Sequence, residues 1–431
     1  MKIRKNPNYI NYMNKTHLET FRGLINQFDL DLNYNMKLSS LNKVLEDSMS
    51  FLSSLYEKKI NIDIDTGSLL NYSKIKVESF STIYVVSDLS QNEDNDLIII
   101  KSLYLSKDIN FEKDQLIISK QYVVKKNNFN DISLMATNTQ KGIYSAYKGI
   151  VKKEDCDQMA HMNVQFYFGK HSDAIKNLFN EISSNLKQKV CFEIENERCI
   201  FSKEVHLNCS LEIVLNLKSI SKDKLILLSK VFCPDNKNVS AYFEMTISLN
   251  ISEKIKEVIN KIFTSNNTTY LNELEFNNLR LLEGNRPNKK FDNTAFITCK
   301  KAVNTWDLDY SQMGSSQFKI GCVSDAATHL FTYCGADYNW RSKYNIGSAA
   351  LDYSVRYYKT APLGMAVTMY TNFTKIGNKS LKFIHHMIDD TSGELVMDIE
   401  IVAVLFDLEK RKSMEVPHDF RKKAERILLT N

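Results

Sequence analysis

The chain has 431 residues, more than one compact core usually organises, so two or three domains of ordinary size are expected. Hydrophobic residues at 43% and charged residues at 25% are ordinary globular levels and exclude a disordered polypeptide. The net charge of +5, from 56 basic and 51 acidic residues without long basic runs, is too mild for a nucleic-acid footprint.

The first residues, Met1-Lys2-Ile3-Arg4-Lys5-Asn6-Pro7, lead into polar sequence with no apolar segment of the secretory kind. No apolar run reaches the length of a membrane span. Cysteines stand at Cys156, Cys191, Cys199, Cys209, Cys233, Cys299, Cys322 and Cys334, with no CxxC pair among them. Neither a zinc site nor a disulfide framework is signalled. The expectation is a reduced, cytoplasmic, soluble protein with no nucleic-acid or membrane partner.

Taken in chain order, the first segment, residues 1–142, reads as a degenerate copy of the two later segments. Asn8-Tyr-Ile-Asn-Tyr12-Met13-Asn14 resembles Asp157-Gln-Met-Ala-His161-Met162-Asn163, with the acid and the histidine replaced. Leu116-Ile-Ile-Ser119-Lys120 echoes Leu225-Ile-Leu-Leu-Ser229-Lys230. The polar stretch around Asn138–Gly142 marks the first boundary.

The middle segment, 143–263, and the last, 295–431, form the clear repeat. Val151–Ala174 lies without gaps over Val303–Ala326 at an offset of 309 − 157 = 152. Both copies keep Asp-x-Asp, Gln-Phe, a glycine and Ser-Asp-Ala. Ile220–Leu249 then runs parallel to Ile376–Leu405, aligning Glu244 with Glu400 at an offset of 400 − 244 = 156. In each copy a helical stretch (Phe166 to Leu186; Phe318 to Gly335) precedes several strand-like runs separated by turn signals such as Pro234-Asp-Asn and Asp389-Asp-Thr-Ser-Gly393. One helix followed by an antiparallel meander is an α+β layer. Residues 264–294 are polar and turn-rich, a connector.

The Asp-x-x-x-His-x-Asn loop entering a helix resembles that of hot-dog-fold acyl-CoA thioesterases of the 4-hydroxybenzoyl-CoA-thioesterase-like branch. Trp306-Asp-Leu-Asp309-Tyr310 is similar to the pattern of the betainyl-CoA thioesterase subgroup. The resemblance implies tandem hot-dog lobes, each an antiparallel sheet wrapped around a helix, paired so that acyl-CoA sites lie at lobe interfaces. It implies Asp157 as the catalytic carboxylate, His161 and Asn163 in orienting and polar-contact roles, and a backbone N–H at a helix start to polarise the thioester carbonyl. Asp309 survives as a candidate second site, either weak or structural, since Met313 replaces the histidine and Ser315 the asparagine. Asn8 in place of the acid implies an inactive first copy. No cofactor is implied beyond the coenzyme A of the substrate, and no metal.

The chemistry stands without the family. A thioester needs a nucleophile or activated water and a donor for the developing oxyanion, and a carboxylate beside the free N–H groups of a helix start supplies both. Each residue also has a plainer reading. Asp157 suits a helix N-cap, His161 alone reads as structural, and Asp155 and Asp307 suit loop hydrogen bonds. His385 and His386, adjacent on a strand, point to opposite faces, one toward core or interface and one toward solvent. Cys156 has no paired base and is set aside as a nucleophile. The sequence thus points to a thioesterase acting on a small acyl-CoA through Asp157, with a non-catalytic acyl-CoA- or partner-binding protein as the alternative. Three lobes leave one unpaired, so a homodimer is expected.

Overall fold

The computed structural model describes residues 17–55, 67–91, 97–107, 113–124, 138–140, 142–265, 268–270 and 294–429. The N-terminal segment contributes β1 (His17–Leu24), α1 (Leu38–Ser54), β2 (Ser68–Tyr72), β3 (Thr82–Gln91), β4 (Leu97–Leu105) and β5 (Gln115–Val124). A short β6 (Asn138–Gln140) leads to the middle segment: β7 (Ile143–Ile150), α2 (Val164–Leu186), β8 (Glu193–Phe201), β9 (Ser210–Ile220), β10 (Lys224–Cys233) and β11 (Asn238–Ser248). The connector holds α3 (Glu253–Ser265) and β12 (Thr268–Tyr270), which pairs with β6. The last segment is β13 (Phe296–Ala302), α4 (Ser316–Tyr333), α5 (Tyr338–Tyr344), β14 (Ile346–Tyr357), β15 (Ala366–Ile376), β16 (Leu381–Asp389) and β17 (Leu395–Asp407), closed by β18 (Lys412–Ser413) and α6 (His418–Ala424).

Local chemistry explains the repeated unit. In α2, Phe168, His171, Ile175, Leu178 and Ile182 recur at helical spacing and are buried, so one stripe of the helix must meet a sheet. Phe168 meets it edge-on against Phe243 of β11, and the His171 ring stacks on the same phenylalanine. The Asn163 side chain caps the helix start by accepting from the Gln165 N–H, and left-handed Lys187 ends it.

All three segments order their strands alike, first-third-fourth-fifth-second: β1-β3-β4-β5-β2, β7-β9-β10-β11-β8 and β13-β15-β16-β17-β14. This is the hot-dog arrangement, three times over, in one 16-stranded antiparallel sheet. The first lobe is therefore complete, and its motif lies elsewhere than the sequence comparison placed it. Asn8–Asn14 fall outside the described residues. The loop equivalent to Asp155-Cys-Asp157 is Asp29-Leu-Asp31, offset by 157 − 31 = 126. In all three loops the first aspartate accepts from the N–H three residues earlier (Asn26, Lys152 or Asn304). The second opens a turn closed by a left-handed residue: Tyr34, Ala160 or Gln312. Asp31 thus keeps the acid that the first copy was expected to have lost. Leu116–Lys120 lies on the fifth strand of its lobe, whereas Leu225–Lys230 lies on the fourth, so that echo was out of register by one strand.

The junctions between lobes differ in kind. The second strands of the middle and last lobes pair over Asp352↔Ile200 to Arg356↔Asn196, and Arg198 grips Asp352 with two hydrogen bonds of 3.1 and 2.7 Å. Behind them α2 and α4 cross. A Cβ on Gly169 would fall 2.5 Å from Gln317, and one on Gly321 2.6 Å from Gln165. The glycine and glutamine common to both copies are the two halves of this reciprocal contact. Middle and last lobes consequently share one hydrophobic core, while the first lobe has cores of its own. The first lobe joins through one paired position, Arg22↔Lys148, and through polar contacts from α2: Asn177 accepts from the Thr82 hydroxyl at 2.8 Å and Asn180 donates to the Phe80 carbonyl at 3.0 Å.

Each lobe also carries a polar residue on its fourth strand: Lys101, Ser229 and His385 are all fully buried. His386 is buried too, correcting the expectation that one of the paired histidines faces solvent. Lys101 donates to the hydroxyls of Ser48 and Ser87, both at 2.8 Å, with no carboxylate beside it among the described residues. Burial holds its amine far below the usual lysine range. The unfolded chain carries that amine protonated, so the native state binds fewer protons and stability rises with pH toward the ordinary lysine range. Thr20 already hydrogen-bonds to both serines, so a methionine in place of the lysine leaves neither hydroxyl unpaired. Lys101→Met is expected to raise the stability of the first lobe at neutral pH by about 1–3 kcal/mol. It should also flatten the pH dependence of the melting temperature on the alkaline side. Thermal melts across pH check both, and a lower melting temperature for the variant would contradict the assignment.

Candidate functional site

Three nearly identical loops sit in three different settings. On the middle loop Asp157 is exposed; its Oδ1 accepts the N–H groups of Met159 (2.9 Å) and His161 (3.0 Å), an internal turn bond rather than a contact across lobes. The His161 ring turns away toward Glu204, 3.6 Å from Nδ1, and packs on His206. Asn163 serves as the α2 cap and lies 3.4 Å from the Ser324 hydroxyl of α4. The three residues singled out from the sequence are neighbours in the chain, but their side chains do not converge on one point. Cys156 donates to the Lys152 carbonyl, and burial with Asp155 and Asp157 alongside pushes its thiol up, away from nucleophilic reactivity.

The last loop is different. Asp309 is half-buried, its Oδ1 accepting both the N–H (2.7 Å) and the hydroxyl (2.5 Å) of Ser311. Tyr310, which stands where the middle loop has exposed Gln158, reaches across onto the middle lobe: its ring meets Phe192 at 5.4 Å, and Lys176 of α2 sits 5.2 Å from its centre. The loop therefore lies over α2 of the neighbouring lobe, beside Asp173. Burial pushes the Asp173 carboxyl up to about 7; Lys170 opposes the shift and the negative charge of Asp309 adds to it. Lys176 moves the other way, down to about 8, through burial and the nearby Lys189.

Lys170, Asp173, Asp309 and Tyr310 open on a cavity of about 480 Å³, a usual size for a small-molecule site. All three lobes line it: Phe28 and Asp47 from the first, Lys170 and Asp173 from the middle, Trp306, Asp309 and Tyr310 from the last. The Gln27 side chain ties the rim together by donating to the Thr305 carbonyl at 3.2 Å. Gln317, in the first turn of α4, also lines the cavity, and its N–H has no intrahelical acceptor. Beneath the site His171 bridges Glu197 (3.2 Å) and Ser229 (2.8 Å), and the Tyr357 hydroxyl donates to Glu197 at 2.7 Å. The serine, histidine and acid have the composition of a hydrolytic triad, but all three are sealed from solvent, so they act as a buried brace across the lobe junction.

Asp173 was present in the sequence as the middle letter of the repeated Ser-Asp-Ala, without a role. Its partner Asp309 is on another lobe, and only the fold brings them together.

Residues 303–424 match the model of the Thioesterase-like superfamily. No curated protein matches the chain. Among solved structures the chain is similar to a putative oleoyl thioesterase from Lactobacillus plantarum, at 12% identity over 62% of this chain and 97% of that one, with a TM-score of 0.46. It is similar to the 12:0-ACP thioesterase from Umbellularia californica, at 9% identity over 61% and 94% respectively, with a TM-score of 0.44. A hypothetical protein from Staphylococcus aureus solved in complex with CoA matches at 15% identity over 33% and 91%, with a TM-score of 0.30.

Removing the charge of Asp309 removes one cause of the Asp173 shift. In Asp309→Asn the Asp173 carboxyl is expected to titrate below its wild-type midpoint of about 7. Carboxyl NMR resonances followed across pH check this; an unchanged midpoint would mean the two acids do not sense each other.

Proposed function

We propose that this protein is a thioesterase that hydrolyses a small acyl-CoA at the junction of the middle and last lobes, with Asp309 and Asp173 as the reacting pair. The observation that carries the reading is the half-buried carboxylate pair drawn from two lobes, one member shifted to about 7, opening on the shared cavity. Match of the last lobe to the thioesterase-like superfamily supports the reaction class.

In this reading Asp309 deprotonates a water that attacks the thioester carbonyl, or attacks it directly to give a mixed anhydride that a water then cleaves, and the Gln317 N–H takes the oxyanion. Asp173, protonated in part near neutral pH, donates its proton to the departing thiolate. Tyr310 closes one side of the site. The cavity lining carries seven carboxylates (Asp29, Asp47, Glu154, Asp155, Asp173, Asp307, Asp309) against four lysines (Lys43, Lys152, Lys170, Lys301). With the aromatic faces of Phe28, Trp306 and Tyr310 beside them, these favour a small cationic acyl group of the betainyl kind.

The test is thiol release over a panel of acyl-CoAs that includes betainyl-CoA. Asp309→Ala and Asp173→Asn are expected to lower kcat/KM by about 10²–10⁴-fold, whereas Asp157→Ala stays close to wild type. Wild-type kcat/KM should fall as pH rises above about 7, where Asp173 loses its proton, and Asp173→Asn should lose that alkaline limb. If Asp157→Ala alone abolishes turnover, the working carboxylate is on the middle loop. If no acyl-CoA is turned over while calorimetry shows binding, the protein is an acyl-CoA-binding module instead.

A further inference from the structure

His161, unused by the site above, stands in a second constellation. Its backbone bridges that of His206, 45 residues away by 206 − 161, and Glu204 lies two positions before that partner on the same stretch. One donor atom from each of His161, Glu204 and His206 falls within 4.8 Å of the others. The two oxygens of Glu204 are divided: Oε2 pairs with Arg411 of the last lobe, while Oε1 faces His161 Nδ1 at 3.6 Å. Arg411 thus fixes the carboxylate and leaves its other oxygen toward the imidazoles, as an outer-shell partner fixes a metal ligand. The other two lobes have Asn35 paired with Lys76 and Met313 paired with Pro362 at the bridge. Neither pair supplies two imidazoles, so the set belongs to the middle lobe alone.

We propose that His161, Glu204 and His206 bind a divalent transition cation of the zinc type. Two imidazoles and one carboxylate are borderline ligands suited to Zn²⁺ and leave a fourth position for water. Bonds of ~2.0 Å in a tetrahedron put ligand atoms about 3.3 Å apart, so rotamer adjustment closes the present spacing. The test is titration of the metal-stripped full chain with zinc chloride by calorimetry, with metal content of the purified complex measured separately. One equivalent is expected to bind, at least tenfold weaker in His206→Ala and in Glu204→Gln, with the melting temperature of the metal-free variants unchanged. Cobalt(II) in the same site should show d–d bands without thiolate charge transfer. Unchanged zinc binding in both variants overturns the proposal. So does a thiolate band, which would place the ion at Cys209, Cys233 and Asp235 instead.

Discussion

The reciprocal contact at Gly169 and Gly321 sets the geometry on which the site depends. Each glycine makes room for a glutamine of the facing helix, so α2 and α4 approach closely while β8 and β14 pair beside them. That approach brings the Asp309 loop over the neighbouring helix and lets Tyr310 seal against Phe192. Larger side chains at the glycines would move the helices apart and separate Asp309 from Asp173. The Arg198–Asp352 pair and the Tyr357–Glu197 bond hold the same junction from the sheet side. Two lobes become one body with one core, and the carboxylate pair is a property of the body rather than of either lobe.

The three loops make the same point by contrast. Asp31, Asp157 and Asp309 share a turn down to the left-handed residue that closes it. Asp309 is the one that senses a carboxylate on another lobe's helix, the half-buried Asp173, whose carboxyl is raised. Motif conservation within the chain therefore reports the turn, which all three lobes need to enter a helix. In the proposed reading, reactivity is conferred by the neighbour. A copy can keep His161 and Asn163 and still direct them to a surface cluster and a helix cap.

Much of this was legible in the sequence. The 152-residue offset located the middle and last lobes, because the shared Gly, Gln-Phe and Asp-x-Asp are each tied to a contact that both lobes make. The first lobe's loop was legible too, and was misplaced: Phe28-Asp-Leu-Asp31 mirrors Trp306-Asp-Leu-Asp309 closely, but the Met-Asn ending at Asn14 drew the alignment to the wrong segment. What local pattern could not give was the meeting of Asp309 with Asp173, two residues far apart in the chain that the fold brings together. Similarly, His161 and His206 meet through a backbone bridge that no spacing rule anticipates.

The buried polar residues on the fourth strands extend the argument to how the copies diverged. Lys101 relies on serine hydroxyls, Ser229 on His171, and His385 on the Thr371 hydroxyl at 2.6 Å. A polar group enclosed beneath a helix must find its partner inside its own lobe, so the position and its partner change together. Only in the middle lobe does that local solution reach outward, from Ser229 through His171 and Glu197 to Tyr357 of the last lobe. Each end of this chain is on a different lobe, and Glu197 lies near the Tyr310 hydroxyl, which burial, then Asp309 and then Glu197 push up. The brace that satisfies a core also tunes the floor of the cavity, and so the middle lobe matters to the site even though its own loop faces solvent.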